Sequence, residues 1–431
     1  MYVKRVVLEN VRGFEKLDFD FQRPSGRFAG WTAITGDNAS GKTTLLKAIA
    51  AALVGPDAVR ALQPSFRGWV RQNCKEALVS VELVAGERDH FAKGRKYEQP
   101  FWADLRLSEN GGPDVSLAPL RGVRKGLGPT HGPWADNPDG WFCVGYGPFR
   151  RLYGASPDAQ RVMLGPVRVA RFATMFREDA TLYECEVWIR ELHHRSLEGR
   201  ELDKTLLEQV KRILNDDFLQ NGLRIEDVDS QGVWLSDPKG AILPLADMSE
   251  GYRAALAMLI DILRQLAVVH EAEGLVADRQ GAMVVPHEGV VLIDEVDAHL
   301  HPEWQRRVGF WLKRKLPNMQ FIVTTHSPII CQAADEHGLF TLPQPGSSAR
   351  PFRVDEAERQ RIVRERPNAI YVSPAFGMRH TRSPLAVTNR ARYSQLRAKS
   401  AAGALPPNEQ REMQKLLPFV GDLDDPQDED A

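Results

Sequence analysis

Gly36-Asp37-Asn38-Ala39-Ser40-Gly41-Lys42-Thr43 is the stretch on which the fold of this 431-residue chain turns. It fits G-x-x-x-x-G-K-[ST] at every defined position. A short apolar run, GWTAIT (30–35), leads into it and reads as a strand. TLLKAIAAALV (44–54), rich in Ala and Leu, leaves it as a helix that Gly55-Pro56 stops. Glycines let successive backbone N–H groups converge on phosphates, and a helix N-terminus adds a positive dipole. With that spacing Lys42 reaches the β- and γ-phosphates of a nucleoside triphosphate and Thr43 offers a hydroxyl to Mg²⁺.

A second motif lies far along the chain. Val290-Val291-Leu292-Ile293-Asp294-Glu295 is an apolar run ending in two acids. A buried strand would deliver the pair at its C-terminal end, where open α/β sheets bind ligands. Asp294 then suits Mg²⁺ through water, and Glu295 suits the polarising of an attacking water as general base. QFIVTTHS (320–327) reads as the next buried strand, after a helix opening at Pro302.

Outward from these motifs, the alternation of strand and helix patterns predicts an α/β fold with a largely parallel sheet. Leu17, Phe19 and Phe21 alternate with Asp18, Asp20 and Gln22, a half-buried strand. ALVSVELVAG and FWADLRLSEN continue the strand pattern, and residues 108–140 form a Gly-, Pro- and Asn-rich excursion. Phe172, Phe176, Ala180, Tyr183 and Val187 fall on one helical stripe, and Leu202, Leu206, Val210, Leu214 and Phe218 on a second. The chain thus divides into an N-terminal lobe (1–168), a helical insertion (169–222), a C-terminal lobe (223–345) and an accessory segment (346–431). In the last, ARYSQLRAK and NEQREMQKLLPFV read as two short amphipathic helices suited to docking a partner.

Composition excludes several classes. Hydrophobic residues are 43% and charged residues 26%, as in ordinary globular proteins. No apolar run approaches the 18 or so residues of a membrane span, and the first residues lack a secretory pattern. The four cysteines (Cys74, Cys143, Cys185, Cys331) form no CxxC pair, which argues against a zinc cluster or a disulfide framework and for a cytoplasmic setting. The net charge of −1 hides a polarity. Residues 350–400 carry 12 Lys/Arg against 4 Asp/Glu, whereas the last eleven carry six acids and no base. His299 and His301 in HLHP are spaced for a metal but read better as a turn before a helix.

Between the two motifs lies Met248-Ser249-Glu250-Gly251-Tyr252-Arg253, ahead of a long helix (251–270). Asp297 follows the acid pair in DEVDAHLHP, and His326 sits in TTHSP. This order resembles the ATP-binding-cassette (ABC) ATPases of the SMC/RecF/OLD-like branch. The resemblance implies an ABC-ATPase head, a P-loop NTPase sheet with an antiparallel β lobe. Its ligands would be ATP and Mg²⁺, the nucleotide held by Gly36, Asn38, Ser40, Gly41, Lys42, Thr43 and Thr44. Val11-Arg12-Gly13-Phe14 is similar to the start of RecF-type heads, so Arg12 would contact nucleotide. Ser249 and Gly251 correspond to the signature, Asp297 to the D-loop and His326 to the switch histidine. The signature would bind the γ-phosphate held by the other protomer, giving an ATP-sandwiched homodimer or a higher even oligomer. Lys42, Glu295 and His326 would carry catalysis, with Thr43 and Asp294 on the metal.

The chain departs from the family at the Q-loop. The run Gly145–Arg151 has no glutamine before Gln160, and Arg150 and Arg151 are left between facing phosphate, facing a partner and lying as plain surface arginines. No nuclease is expected in cis: after His337 only His380 remains for an HNH site, and the late DxD Asp422-Leu423-Asp424 sits in the acidic tail. Stand-alone heads with a short helical insertion and a C-terminal accessory segment resemble the ATPases of Septu and retron-linked anti-phage defence systems, which implies a protein effector, a nuclease encoded nearby. The alternative is a RecF/SMC-like clamp that binds duplex DNA in repair.

Overall fold

The computed structural model describes residues 1–419 apart from 92–93, 95, 97–98, 110–113, 120–127, 136–137, 271–273, 280, 348, 379 and 404. The acidic tail lies outside the described residues. One compact unit runs from Met1 to Pro367 and a second from Asn368 onward.

Alternating apolar residues build the first sheet. Strands β1 (Tyr2–Val11) and β2 (Phe14–Asp20) form a hairpin across Arg12-Gly13, with Val11 opposite Phe14 and Arg12 in the left-handed region at φ 48°. β4 (Glu76–Val84), β5 (Phe101–Ser108) and β6 (Ser116–Pro119) complete an antiparallel sheet of order β2-β1-β4-β5-β6. The expected antiparallel lobe is therefore present.

Unbroken apolar runs build the second sheet, as burial on both faces requires. Its order is β16-β15-β3-β14-β13-β7, from β3 (Gly30–Thr35), β7 (Cys143–Tyr146), β13 (Gly289–Ile293), β14 (Met319–Thr324), β15 (Leu339–Thr341) and β16 (Phe352–Arg353). All neighbours run parallel except β16. Helix α1 (Lys42–Val54) is buried along most of its length and packs against β4 and β5 of the first sheet and β13 and β14 of the second. Gln320 joins the sheets directly. Its buried amide accepts from the Val3 N–H and donates to the Val3 carbonyl, both at 2.7 Å.

After α2 (Pro56–Leu62) and β7, the chain forms three short helices: α3 (Pro157–Met163), α4 (Val167–Ala170) and α5 (Ala173–Phe176). The stripe expected from Phe172 to Val187 is not one helix. Arg177 is extended and its guanidinium pairs with Asp179, which also accepts from Ser156, so helix restarts only with α6 (Tyr183–Leu197). The second stripe is α7 (Glu201–Asn215), which buries Leu206, Val210 and Leu214 while Leu202 stays exposed. A small sheet, β8 (Arg224–Asp229), β9 (Gly232–Ser236) and β10 (Ile242–Pro244), leads into α8 (Glu250–His270). The hairpin β11 (Ala277–Arg279) and β12 (Ala282–Val284) precedes β13, and α9 (Pro302–Lys315) joins β13 to β14.

The accessory segment begins later than the expected boundary at residue 346. β16 pairs with β15, the Val354 N–H donates to the Leu339 carbonyl, and helix α11 (Glu356–Arg364), which follows the single turn α10 (Pro328–Cys331), donates through Arg359 to the Ala334 carbonyl. These bonds keep residues 346–367 in the first unit. In the second, α12 (Pro367–Tyr371) is followed by α13 (Pro384–Ala402) and α14 (Pro407–Leu416). The last two form a helical hairpin tied by Arg392–Glu412 at 2.8 Å and Lys399–Glu409 at 3.1 Å.

Gln320→Leu would strand a buried donor and a buried acceptor on Val3. We expect a loss of about 3 kcal/mol, since each unpaired buried group costs roughly 1–3. The urea midpoint of the first unfolding transition checks this.

Candidate active site

Register brings the separate motifs to one edge. Thr324 pairs with Ile34, and Val323 with Ile293, so β3, β14 and β13 end level with one another. The phosphate loop leaves β3, the acid pair leaves β13, and Thr324-Thr325-His326 leave β14 between them.

The loop is bent as its residues require. Gly36 (φ 148°) and Gly41 (φ 99°) occupy positive-φ backbone, and a Cβ on Gly41 would stand 2.6 Å from the Phe14 ring. Ala39 takes the left-handed region too, at φ 61°. Lys42 folds back, its Nζ donating to the carbonyls of Gly36 (2.8 Å) and Asp37 (2.9 Å). Burial pulls its ammonium below the usual range, against the upward pull of Asp294, Glu295, Asp297 and Asp37. Ser40 Oγ is buried without a hydrogen-bond partner. Asn38 is exposed and Thr43 half-buried. Thr44, expected at the nucleotide, is buried, and its hydroxyl accepts instead from Arg12 Nη1 at 3.2 Å. The Arg12 guanidinium lies 4.7 Å over the Trp69 ring, so it reaches the loop helix through Thr44.

The carboxylates are held from β14. Thr324 Oγ1 donates to Asp294 Oδ1 at 2.6 Å and accepts from the Glu295 N–H at 2.8 Å. Thr325 Oγ1 donates to Asp297 Oδ1 at 2.5 Å and accepts from the Ser327 N–H at 2.9 Å. Asp294 is fully buried; Glu295, Asp297 and His326 are half-buried. Glu295 sits at φ 45°, a conformation an L-residue adopts at a cost of about 1 kcal/mol or more. Two threonines within the strand QFIVTTHS, with no separate motif of their own, thus position both acids.

Ser249 and Gly251 are placed elsewhere. Ser249 is exposed at the start of α8, where its carbonyl accepts from the Arg253 N–H. A Cβ on Gly251 would lie 2.3 Å from the His299 carbonyl, so the signature segment packs directly on the turn that follows Asp297. His301 caps α9, its Nδ1 accepting from the Glu303 N–H, and no group of three or more metal-binding side chains occurs among the described residues. Arg150 is neither a phosphate ligand nor a surface arginine. It is buried and donates to backbone carbonyls around the acid pair.

The residues fit the implied ligands. An orphaned hydroxyl (Ser40), a lysine occupied only by loop carbonyls and two glycine positions closed to any side chain make a cradle for phosphate oxygens. Thr43 and Asp294 supply the hard oxygen donors that Mg²⁺ takes.

The fold is that of an α/β ABC-ATPase head. Residues 189–332 match the family described as "AAA domain, putative AbiEii toxin, Type IV TA system", and residues 5–108 match one described as "AAA domain". The chain is 29% identical over 195 residues to Septu protein PtuA of Bacillus thuringiensis, covering 42% of this chain and 45% of that one. It is 35% identical over 106 residues to the Retron Ec83 probable ATPase of Escherichia coli, covering 25% and 18%. It therefore spans less than half the length of the curated relatives it matches. The solved Smc head bound to the C-winged helix domain of ScpA shares the fold, with a TM-score of 0.50 and 19% identity over 83% of this chain and 99% of that one. The resemblance to SMC/OLD-like ATPases related to anti-phage defence proteins, read first from motif order, holds against all of these.

Thr324→Val removes the bond to Asp294 and strands the Glu295 N–H. Fluorescent-nucleotide titration should show about tenfold weaker affinity with Mg²⁺ and little change without it, as expected for one hydrogen bond to a charged group.

Proposed function

We propose that this chain is an ATP-hydrolysing ABC-type head that dimerises around ATP and regulates a protein effector, a nuclease in an anti-phage defence system. The observation that carries the ATPase reading is the convergence of the phosphate loop, Asp294-Glu295 and the β14 threonines at one sheet edge. In this reading Lys42 leaves the loop carbonyls for the β- and γ-phosphates. Glu295 takes the proton of the attacking water as its oxygen bonds to the γ-phosphorus and ADP departs. Mg²⁺, held by Thr43 and Asp294, would neutralise charge on the phosphate oxygens when bound. His326, at the end of β14, would contact the γ-phosphate, and Asp297 would face the dimer partner.

Support for the composite site is the exposure of Ser249 at a 21-residue helix N-terminus, where a partner's γ-phosphate would be favoured by dipole and free N–H groups. Support for a protein effector comes from the relatives, Septu and retron proteins, and from the second unit. In that unit Arg392 and Lys399 are already paired with Glu412 and Glu409, which reduces the cationic surface that a DNA clamp would use. Among the described residues no helix is long and apolar enough to cross a membrane.

Glu295→Gln should lower turnover by at least about 10² while retaining ATP. With Mg-ATP it should elute as a dimer or larger even assembly; an unchanged elution volume would count against ATP-driven closure. Ser249→Arg should abolish turnover with nucleotide affinity within about threefold of wild type, because its phosphate belongs to the other protomer. Steady-state turnover with and without duplex DNA separates the readings: indifference fits a protein effector, and strong, salt-sensitive stimulation fits the DNA clamp.

A further inference from the structure

The turn after β13 has an unusual backbone problem. Asp294 donates its N–H to the Tyr146 carbonyl and Val296 donates to the Thr324 carbonyl, while Glu295 takes a left-handed conformation between them. The result is that the carbonyls of Asp294, Glu295, Val296 and Ala298 converge, together with that of Gly147 on the neighbouring segment. Such a cluster of acceptors away from water needs a dense source of donors.

Arg150 supplies it. Its side chain is 97% buried by exposure of 3%. Nη1 donates to Gly147 O and Asp294 O, both at 2.9 Å, and Nη2 to Glu295 O at 3.2 Å, Ala298 O at 3.3 Å and Val296 O at 3.4 Å. Burial lowers the guanidinium to about 10, against the upward pull of Asp294, Asp297 and Glu295, so it is still charged at neutral pH. Lysine could not take its place: an ammonium has three donors around one point, whereas the planar fork reaches several acceptors at once. Arg150 stands at the end of the segment that leaves β7, where the sequence has no glutamine before Gln160.

We infer that Arg150 is the positioning residue that sets the angle at which Glu295 and Asp297 are presented to the nucleotide, acting through the backbone of the turn and touching neither substrate nor metal. This rests on the ATPase reading above, and it makes the segment 147–151 the element through which a change near β7 reaches the acid pair. Removal of the clamp should impair chemistry and spare binding, because the phosphate loop is held by contacts of its own.

The test compares Arg150→Lys, Arg150→Ala and wild type in full-length protein. For Arg150→Lys we expect MgATP affinity within about threefold of wild type and kcat lower by at least about 30-fold. Guanidinium chloride at about 10–20 mM should restore several-fold of the turnover lost in Arg150→Ala and none of that lost in Lys42→Ala; a role in folding alone would show no such selectivity. Amide hydrogen exchange without nucleotide gives an arm that does not need activity: residues 294–300 should exchange at least about tenfold faster in Arg150→Lys, with 42–54 unchanged. Turnover of Arg150→Lys within twofold of wild type, equal losses of affinity and kcat, or unchanged exchange at 294–300 would each overturn the inference. If wild type proves inert but the exchange result holds, the ATPase reading fails and the clamp stands.

Discussion

The level ending of three parallel strands is the constraint on which the rest depends. β3, β14 and β13 are in register to their last residues, so the chain leaves each of them at the same height. Phosphate loop, threonine pair and acid pair are separated by up to about 290 residues of sequence, yet no side chain has to reach far to meet the others. A slip of one residue in β14 would send Thr324 to the opposite face of the sheet. Both acids would then lose the hydroxyls that orient them. The helix α1 between the two sheets and the Gln320 tie to β1 make such a slip expensive, since the interior is close-packed on both sides.

The phosphate loop and the acid pair were legible because each is a local pattern whose chemistry and backbone needs are written in consecutive residues. Gly36 and Gly41 need positive φ and sit within the motif that announces them. The signature was read only from its order, between the other two. Thr324 and Arg150 were not legible, and the reason is physical. Each acts on backbone groups supplied by another element: Thr324 on a strand neighbour about thirty residues earlier, Arg150 on carbonyls nearly 150 residues later. Nothing beside Arg150 distinguishes a buried clamp from a surface cation. The same limit explains the helical stripe at 172–187, where Phe172 and Ala180 are buried but Tyr183 is exposed and an Arg177–Asp179 pair breaks the helix. It explains the domain boundary as well, because β16 is held by a strand partner rather than by its own composition.

Charge is handled differently at the two ends of the molecule's function. Around the acid pair, Lys42 and Arg150 bring two buried cations against three carboxylates, whose charges oppose the lowering that burial imposes on both cations. In the second unit the ion pairs between α13 and α14 are part-exposed and long-chained, and worth little in stability. The first arrangement suits a centre that must not change shape between turnovers; the second suits a surface free to be remodelled.

Gly251 packs without clearance on the His299 carbonyl. That single contact makes α8 and the turn after Asp297 one mechanical part. Since α8 also carries Asp261, which accepts from Tyr146 Oη at 2.9 Å, the helix is tied both to the turn after the acids and to β7, the strand beside β13. In the proposed dimer, a phosphate seated at the exposed tip at Ser249 would lie at the head of a helix that packs, two residues on, against the turn after Asp297.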